Sequence, residues 1–178
     1  MTGAREYAEA LFLVCKEEGL IKEALYDLHS VCTAIKENPD YLKLLATPAL
    51  SKDERVGLID GACGTVCEAV KNLFKILAEN RCAHLSGKIY TEYRALVDEE
   101  YGILRAEAVT AVALTDSQKE KIRSKLALIT SASEVVLTNT LDPSILGGIK
   151  LRYRGTQIDS SIKERLSGFE AALKSIVI

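Results

Sequence analysis

Apolar residues in the first part of the chain recur every three or four positions, which is the spacing of an amphipathic helix. In the second helix, for example, Leu25, Leu28, Cys32 and Ile35 fall on one face. Helix-opening and helix-ending residues separate the segments. The predicted helices cover residues 4–18, residues 20–37, a short stretch opened by Asn38-Pro39, stretches opened by capping boxes at Ser51–Glu54 and Thr65–Glu68, and about residues 85–102. Six helices with short links predict an antiparallel bundle.

Beyond Gly102 the pattern changes to one in which every second residue is apolar. This alternation predicts a strand over about residues 104–113 and a second over residues 134–140. Between them, Thr115–Gln118 is a capping box for a helix that ends near Thr130. The chain is therefore predicted to be α+β, with a helical domain over residues 1–104 and a small α/β domain over residues 105–178.

Two of the predicted helices carry apolar residues on more than one face. They contain Ala10–Cys15 and Leu73–Ala78, and the second run is interrupted only by Lys75. A surface helix needs an apolar arc of roughly 100°, so a wider arc implies burial on a second side. Two interpretations follow from the residues: both helices lie at the centre of the bundle, or they border a groove that accepts a partner helix.

Composition and charge exclude several functions. The chain has 178 residues and a net charge of −2, which is unlike the basic excess of nucleic-acid-binding proteins. The basic residues Lys150, Arg152 and Arg154 have no interleaved aromatic residues, so we interpret them as a solvated strand face. The sequence starts without a signal-peptide pattern, and its longest early apolar run is far too short to span a membrane. No direct membrane insertion is therefore expected.

The most distinctive segment of the chain lies near its C-terminal end. Asp142-Pro143-Ser144 and Gly147-Gly148 precede a predicted hairpin, and Ile158-Asp159-Ser160-Ser161 would then open a last helix, with Asp159 as its N-cap. This arrangement resembles the C-terminal signature of the delta subunit of F-type ATP synthases, the family that includes the mitochondrial oligomycin-sensitivity-conferring protein. The resemblance extends to Tyr7–Phe12, Leu77–Asn80 and Val109–Gln118 in the same order.

The resemblance implies a non-catalytic stator subunit without a cofactor. It would link the catalytic head to the peripheral stalk, as one copy per complex, on the cytoplasmic face of the bacterial cell membrane. The first domain would hold the N-terminal helix of an alpha subunit, and the second would meet the C-terminal end of the b subunit. The implied groove between the first and fifth helices consists of Tyr7, Ala8, Leu11, Phe12, Cys15, Val70, Phe74 and Leu77.

One position departs from the family pattern. The family commonly continues Glu-Asn with Gly-Arg, whereas this chain has Asn80-Arg81-Cys82. Because the glycine of such a pair provides a left-handed helix stop, the end of the fifth helix is expected to change.

Two other function classes are consistent with the residues alone. A general helical adaptor would use the same groove for unrelated peptides. A thiol enzyme would use one of five cysteines, of which Cys63, Cys67 and Cys82 with His84 also suggest a weak zinc motif. An acidified cysteine would favour the enzyme, because the thiolate is the reactive form.

Overall fold

The computed structural model describes residues 3–47, 49–62, 64, 66–145 and 147–159. The chain divides into two compact units between Glu100 and Tyr101, rather than between residues 104 and 105. The first unit is helical and the second contains a four-stranded sheet, so the predicted α+β class is confirmed. No helix in the described ranges is both long and apolar enough to span a bilayer.

The first unit places its helices around one apolar core. The largest fully buried side chains include Tyr93, Phe74 and Leu28, and they come from three different helices. The elements are α1 (Ala4–Glu18), α2 (Ile21–Glu37), α3 (Pro39–Ala46), α4 (Lys52–Ala62), α5 (Glu68–Glu79), a 3₁₀ turn (Ala83–Leu85) and α6 (Ser86–Glu100).

Side chains determine where several of these helices begin. Ser51 and Glu54 form the predicted capping box at α4: the Glu54 N–H donates to Ser51 Oγ over 3.2 Å, and the Ser51 N–H donates to Glu54 Oε2 over 2.8 Å. The predicted box at α5 includes Thr65, which lies outside the described residues. The N-cap of α5 is Cys67, whose N–H donates to Asp27 Oδ2 on α2 over 2.7 Å.

Asn38 is the N-cap residue of α3 as predicted, with Pro39 in the first turn, but its side chain forms no capping hydrogen bond with that helix. The Asn38 side chain instead closes the preceding helix, donating from Nδ2 to the carbonyl of Ala34 over 2.8 Å. The turn between α2 and α3 is so short that one residue is both the end of the first helix and the start of the second, and its side chain bonds the first.

The elements of the second unit are β1 (Ile103–Thr110), α7 (Asp116–Thr130), β2 (Glu134–Leu141), β3 (Ile149–Tyr153) and β4 (Thr156–Asp159). Its four strands form a sheet in the order β2-β1-β3-β4. Strands β1 and β2 are parallel, joined by α7, whereas β3 pairs antiparallel with β1 and with β4. In register, Ala106 of β1 lies between Leu137 of β2 and Tyr153 of β3. Leu104, Ala106 and Leu126 form its buried core.

The capping box at α7 is confirmed, but the prediction that β1 continues to residue 113 is wrong. At Thr110 the hydroxyl donates to the carbonyl of Val112 over 2.7 Å, and this bond bends the chain out of the sheet. The Leu114 N–H then donates to Asn139 Oδ1 over 2.9 Å, so a side chain replaces the backbone ladder there. Valine and leucine after Thr110 therefore belong to a loop.

The end of α5 keeps its left-handed stop without a glycine. Arg81 has φ of +56°, and the Cys82 N–H donates to the carbonyl of Leu77 over 2.7 Å. Gly19 ends α1 in the same way, with φ of +73° and a bond of 2.8 Å from the Leu20 N–H to the carbonyl of Cys15. A left-handed residue with a Cβ costs roughly 1–2 kcal/mol, which Arg81 bears and Gly19 avoids.

We therefore expect Arg81→Gly to raise the free energy of unfolding by about 1 kcal/mol, because it removes this strain from an exposed residue. Gly19→Ala introduces the same strain at the matched stop and should lower that energy by about 1 kcal/mol. Urea unfolding followed by circular dichroism measures both. A destabilised Arg81→Gly variant would show that the arginine side chain stabilises the fold.

Candidate functional site

A surface groove of about 240 Å³ lies between α1 and α5. Each helix contributes four residues at positions i, i+3, i+4 and i+7, which form one stripe along a helix face. The α1 stripe is Tyr7, Ala10, Leu11 and Val14, and the α5 stripe is Ala69, Asn72, Leu73 and Ile76. The two stripes have the same spacing, so a single helix laid along the groove would meet both.

The groove is almost entirely apolar. Asn72 and the hydroxyl of Tyr7 are its polar groups, and no charged side chain of the described residues lines it. Asn80 Nδ2 donates to the Tyr7 hydroxyl over 3.4 Å, which joins the start of α1 to the end of α5. The charged residues Lys71 and Lys75 of α5 are instead paired with Asp60 of α4, at 3.1 and 2.8 Å. The charged side chains of these two lysines therefore pair with α4 and do not line the groove.

Two of the groove side chains are far more exposed than a core would leave them. Val14 and Ile76 are each 45% exposed, although both lie on helices that already bury another face. Outside the groove on the same helix, Leu13 is 61% exposed. Covering a valine or isoleucine side chain fully is worth about 1.5–3 kcal/mol, so the groove offers apolar surface that a partner could bury.

Of the eight predicted groove residues, the structure places Tyr7 and Leu11 in the lining. The other six are buried in the core and do not line the surface: Ala8, Phe12, Cys15, Val70, Phe74 and Leu77. The reason is geometric, because these residues form the neighbouring stripe of each helix, which faces the rest of the unit. Phe12, for example, meets the ring of Tyr93 of α6 edge-on at 6.0 Å between centroids.

The sequence prediction missed Ala10, Val14, Ala69, Asn72, Leu73 and Ile76 as lining residues. The signal was present in the sequence, since α1 and α5 each carry a second apolar stripe beside the buried one. What the sequence did not reveal is which stripe faces inward. That choice depends on how the two helices are rotated against α2 and α6.

The signature residues near the C-terminal end shape turns. Asp142 Oδ1 accepts the Ser144 N–H over 2.9 Å, and hydrogen bonds from Ser144 hold the pKa of the Asp142 carboxyl below its usual value. Pro143 lies inside this turn, and Gly147 and Gly148 have φ of +151° and +88°. Asp159 is the last residue of β4 and pairs with Lys150 at 3.4 Å; its predicted helix lies outside the described residues.

Three of the described cysteines are buried or partly buried thiols with raised pKa values, namely Cys15, Cys32 and Cys67. Burial raises the pKa of Cys15, and raises that of Cys32 to about 11. Burial, followed by the nearby Asp27 carboxylate, raises the pKa of Cys67 to about 11. A thiol enzyme needs the opposite shift. Among the described residues there is also no group of three potential metal ligands; Cys63 lies outside that set.

These pKa values predict how stability depends on pH. An unfolded thiol loses its proton near the ordinary value of 9.0, whereas folded Cys32 and Cys67 keep theirs up to about 11. The folded protein therefore binds more protons in this window, and the free energy of unfolding falls as pH rises from about 9 to about 11. Urea titrations with reductant present should show a shallower fall for Cys32→Ala/Cys67→Ala. An identical slope in the two proteins would contradict the assignment.

Comparison with known proteins identifies the family. The model of the ATP synthase delta (OSCP) subunit family matches residues 4–173. The ATP synthase subunit delta of Solidesulfovibrio magneticus is 33% identical over 98% of each chain, and that of Leuconostoc citreum is 31% identical over 96% of this chain and 94% of the relative. A chain in the cryo-EM structure of the Toxoplasma gondii mitochondrial ATP synthase hexamer shares the fold, with a TM-score of 0.72, 21% identity and coverage of 97% and 98%. The chain belongs to the delta (OSCP) family, a structural and non-catalytic subunit of the ATP synthase.

Proposed function

We propose that this subunit is the stator brace of an F-type ATP synthase, proton- or sodium-translocating, which holds the catalytic head still while the central shaft turns. Torque performs work only if the head cannot rotate with the shaft. A brace must therefore bind the head and the membrane-anchored stalk at the same time. Two compact units on one chain suit such a link, because each can bind one partner.

The first unit binds the N-terminal helix of an alpha subunit in the α1/α5 groove. The observation that carries this proposal is the pair of matched apolar stripes with exposed Val14 and Ile76. Eight residues of helix, from Tyr7 to Val14, cover about 10 Å, or two turns. The ligand is thus a short amphipathic helix with three or four apolar anchors, whose polar face stays in water.

Tight burial of a few apolar side chains provides the slow dissociation that a subunit under mechanical load requires. Association energy in such contacts is concentrated in a few well-packed apolar anchors, and differences in affinity arise mainly from the dissociation rate. The neutral groove adds no long-range charge steering. Its binding should therefore depend little on salt concentration.

The second unit meets the C-terminal end of a b subunit. Its α7 presents Leu128 at 82% exposure and Ile129 at 70%, two adjacent leucine and isoleucine side chains that the sheet does not cover. The sheet also presents ion-paired charges, such as Lys150 with Asp159 and Arg152 with Glu107. A surface that carries both exposed apolar side chains and ion-paired charges fits a contact that is partly apolar and partly polar. The subunit then lies at the cytoplasmic face of the bacterial membrane, in one copy per complex.

The groove is tested with Val14→Asp and Ile76→Asp. A carboxylate facing an apolar helix loses its water without gaining a partner, so each variant should weaken binding of an alpha N-terminal peptide at least about tenfold. Calorimetric titration measures the affinity. Leu13→Asp is the matched control, because Leu13 is exposed on the same helix but does not line the groove.

Unchanged affinity in Val14→Asp and Ile76→Asp, with thermal unfolding also unchanged, would exclude the groove as the site. A scrambled peptide of the same composition separates the brace from a general helical adaptor. Equal binding of the native and scrambled peptides would favour the adaptor.

The contact with the stalk is tested with Leu128→Asp/Ile129→Asp. This variant should lose binding to a soluble b-subunit fragment while its affinity for the alpha peptide stays the same, since the changes lie in the other unit. In reconstituted membranes, ATP synthase complexes that contain either set of variants should hydrolyse ATP but pump fewer ions per ATP. Full coupling in both sets would contradict the brace.

A further inference from the structure

A second and larger cavity, of about 700 Å³, opens on the first unit where α2 ends and α3 begins. Its floor consists of Ile35, Ile59 and Phe74, all of which are buried. Val31 and Leu44 form part of its walls, and Leu44 is 42% exposed. The volume lies within the range of about 300–1,000 Å³ that is typical of small-molecule sites. None of the α1/α5 groove residues lines it.

The polar groups that line the cavity differ in whether they already form hydrogen bonds or ion pairs within the protein. The Tyr41 hydroxyl donates to the carbonyl of Leu58 over 2.9 Å, and Asn38 Nδ2 donates to the carbonyl of Ala34. The two acidic residues are different. Asp40 has one exposed ion pair, with Lys43 at 2.8 Å, and Glu37 forms no hydrogen bond or ion pair within the described residues.

The charge of the cavity is therefore of one sign. Glu37 and Asp40 are the ionisable groups among the described residues of its lining, apart from the phenol of Tyr41, and no lysine, arginine or histidine is among them. An anionic ligand would meet two carboxylates, and the Lys43 ammonium beside them is already paired with Asp40 at 2.8 Å. A neutral apolar ligand would gain nothing from them. A cation with an apolar body would gain binding energy from apolar contact with the floor and from attraction to the carboxylates of Glu37 and Asp40.

We propose that this cavity binds an apolar organic cation. The apolar part of the ligand lies on Ile35, Ile59 and Phe74, and the positive charge lies at the mouth beside Glu37 and Asp40. Bound there, the ligand contacts residues of α2, α3, α4 and α5, so it also stabilises the first unit by mass action. This site is independent of the proposed stator contacts, because it shares no residue with either.

Two probe ions of the same size and shape but opposite charge test the proposal: tetraphenylphosphonium and tetraphenylborate. We expect the full chain to bind the cation more tightly by about tenfold, which is what two exposed ion pairs of ordinary strength provide. Methyl NMR spectra should locate the cation, with shifts at Val31, Leu44 and Ile59. Equal affinity for the two ions, or shifts confined to other methyl groups, would overturn the proposal.

Variants separate the charge from the cavity. Glu37→Gln/Asp40→Asn should reduce the preference for the cation to about twofold or less, whereas Glu23→Gln, an exposed acid on the same helix that does not line the cavity, should leave it unchanged. Ala34→Phe should fill the mouth and abolish binding. Ala95→Phe on α6 is the matched control, since Ala95 is an exposed alanine outside the cavity. Cation binding that survives Ala34→Phe would show that the cavity is not the site.

Discussion

The structure depends on how α1 and α5 share their apolar surface between the core of the unit and the solvent. Each helix buries one stripe, which includes Phe12 on α1 and Phe74 on α5. Each also carries a second stripe, and the described residues of the first unit leave Val14 and Ile76 of those stripes 45% exposed. A helix that is apolar on two adjacent faces leaves the second face exposed to water until a partner covers it, and such exposed apolar surface marks an interaction site. The fold and the proposed function therefore arise from the same two helices.

Contacts from neighbouring helices fix α5 without placing charge at the groove. Asp60 of α4 forms ion pairs with two lysines of α5, and Asp27 of α2 accepts the Cys67 N–H at the start of α5. Both contacts come from neighbouring helices and leave the groove side neutral. Tyr93 supports α1 from beneath, since its ring meets Phe12 and its hydroxyl donates to the carbonyl of Ile21. The groove is thus preformed by contacts that do not involve a partner.

The second unit follows a different constraint, which is the satisfaction of backbone hydrogen bonds at a sheet. Strand β1 is central, so it pairs on both sides, and its apolar Leu104 and Ala106 lie under Leu126 of α7. Beyond the end of β1, side chains provide hydrogen-bond partners for the backbone. The Thr110 hydroxyl donates to the carbonyl of Val112, and Asn139 Oδ1 accepts the Leu114 N–H. Glycine is favoured at position 102, because its φ of +64° strains a residue with a Cβ, and a Cβ there would also come within 2.9 Å of Ser133 Oγ.

Local sequence alone determined the helices of the first unit, the capping boxes at Ser51 and Thr115, the alternation of β1 and β3, and the signature that reveals the family. These features depend on neighbours within a few residues, so a linear pattern records them. Other features required distant partners. Asn38 could cap either of two helices, Arg81 had to take a glycine conformation, and valine-rich residues 109–114 could have continued a strand. Above all, the choice between Phe12 and Val14 as the outward residue depends on the rotation of α1 against α5 and α6. That rotation is decided by packing of side chains from the whole unit, which no stretch of α1 contains.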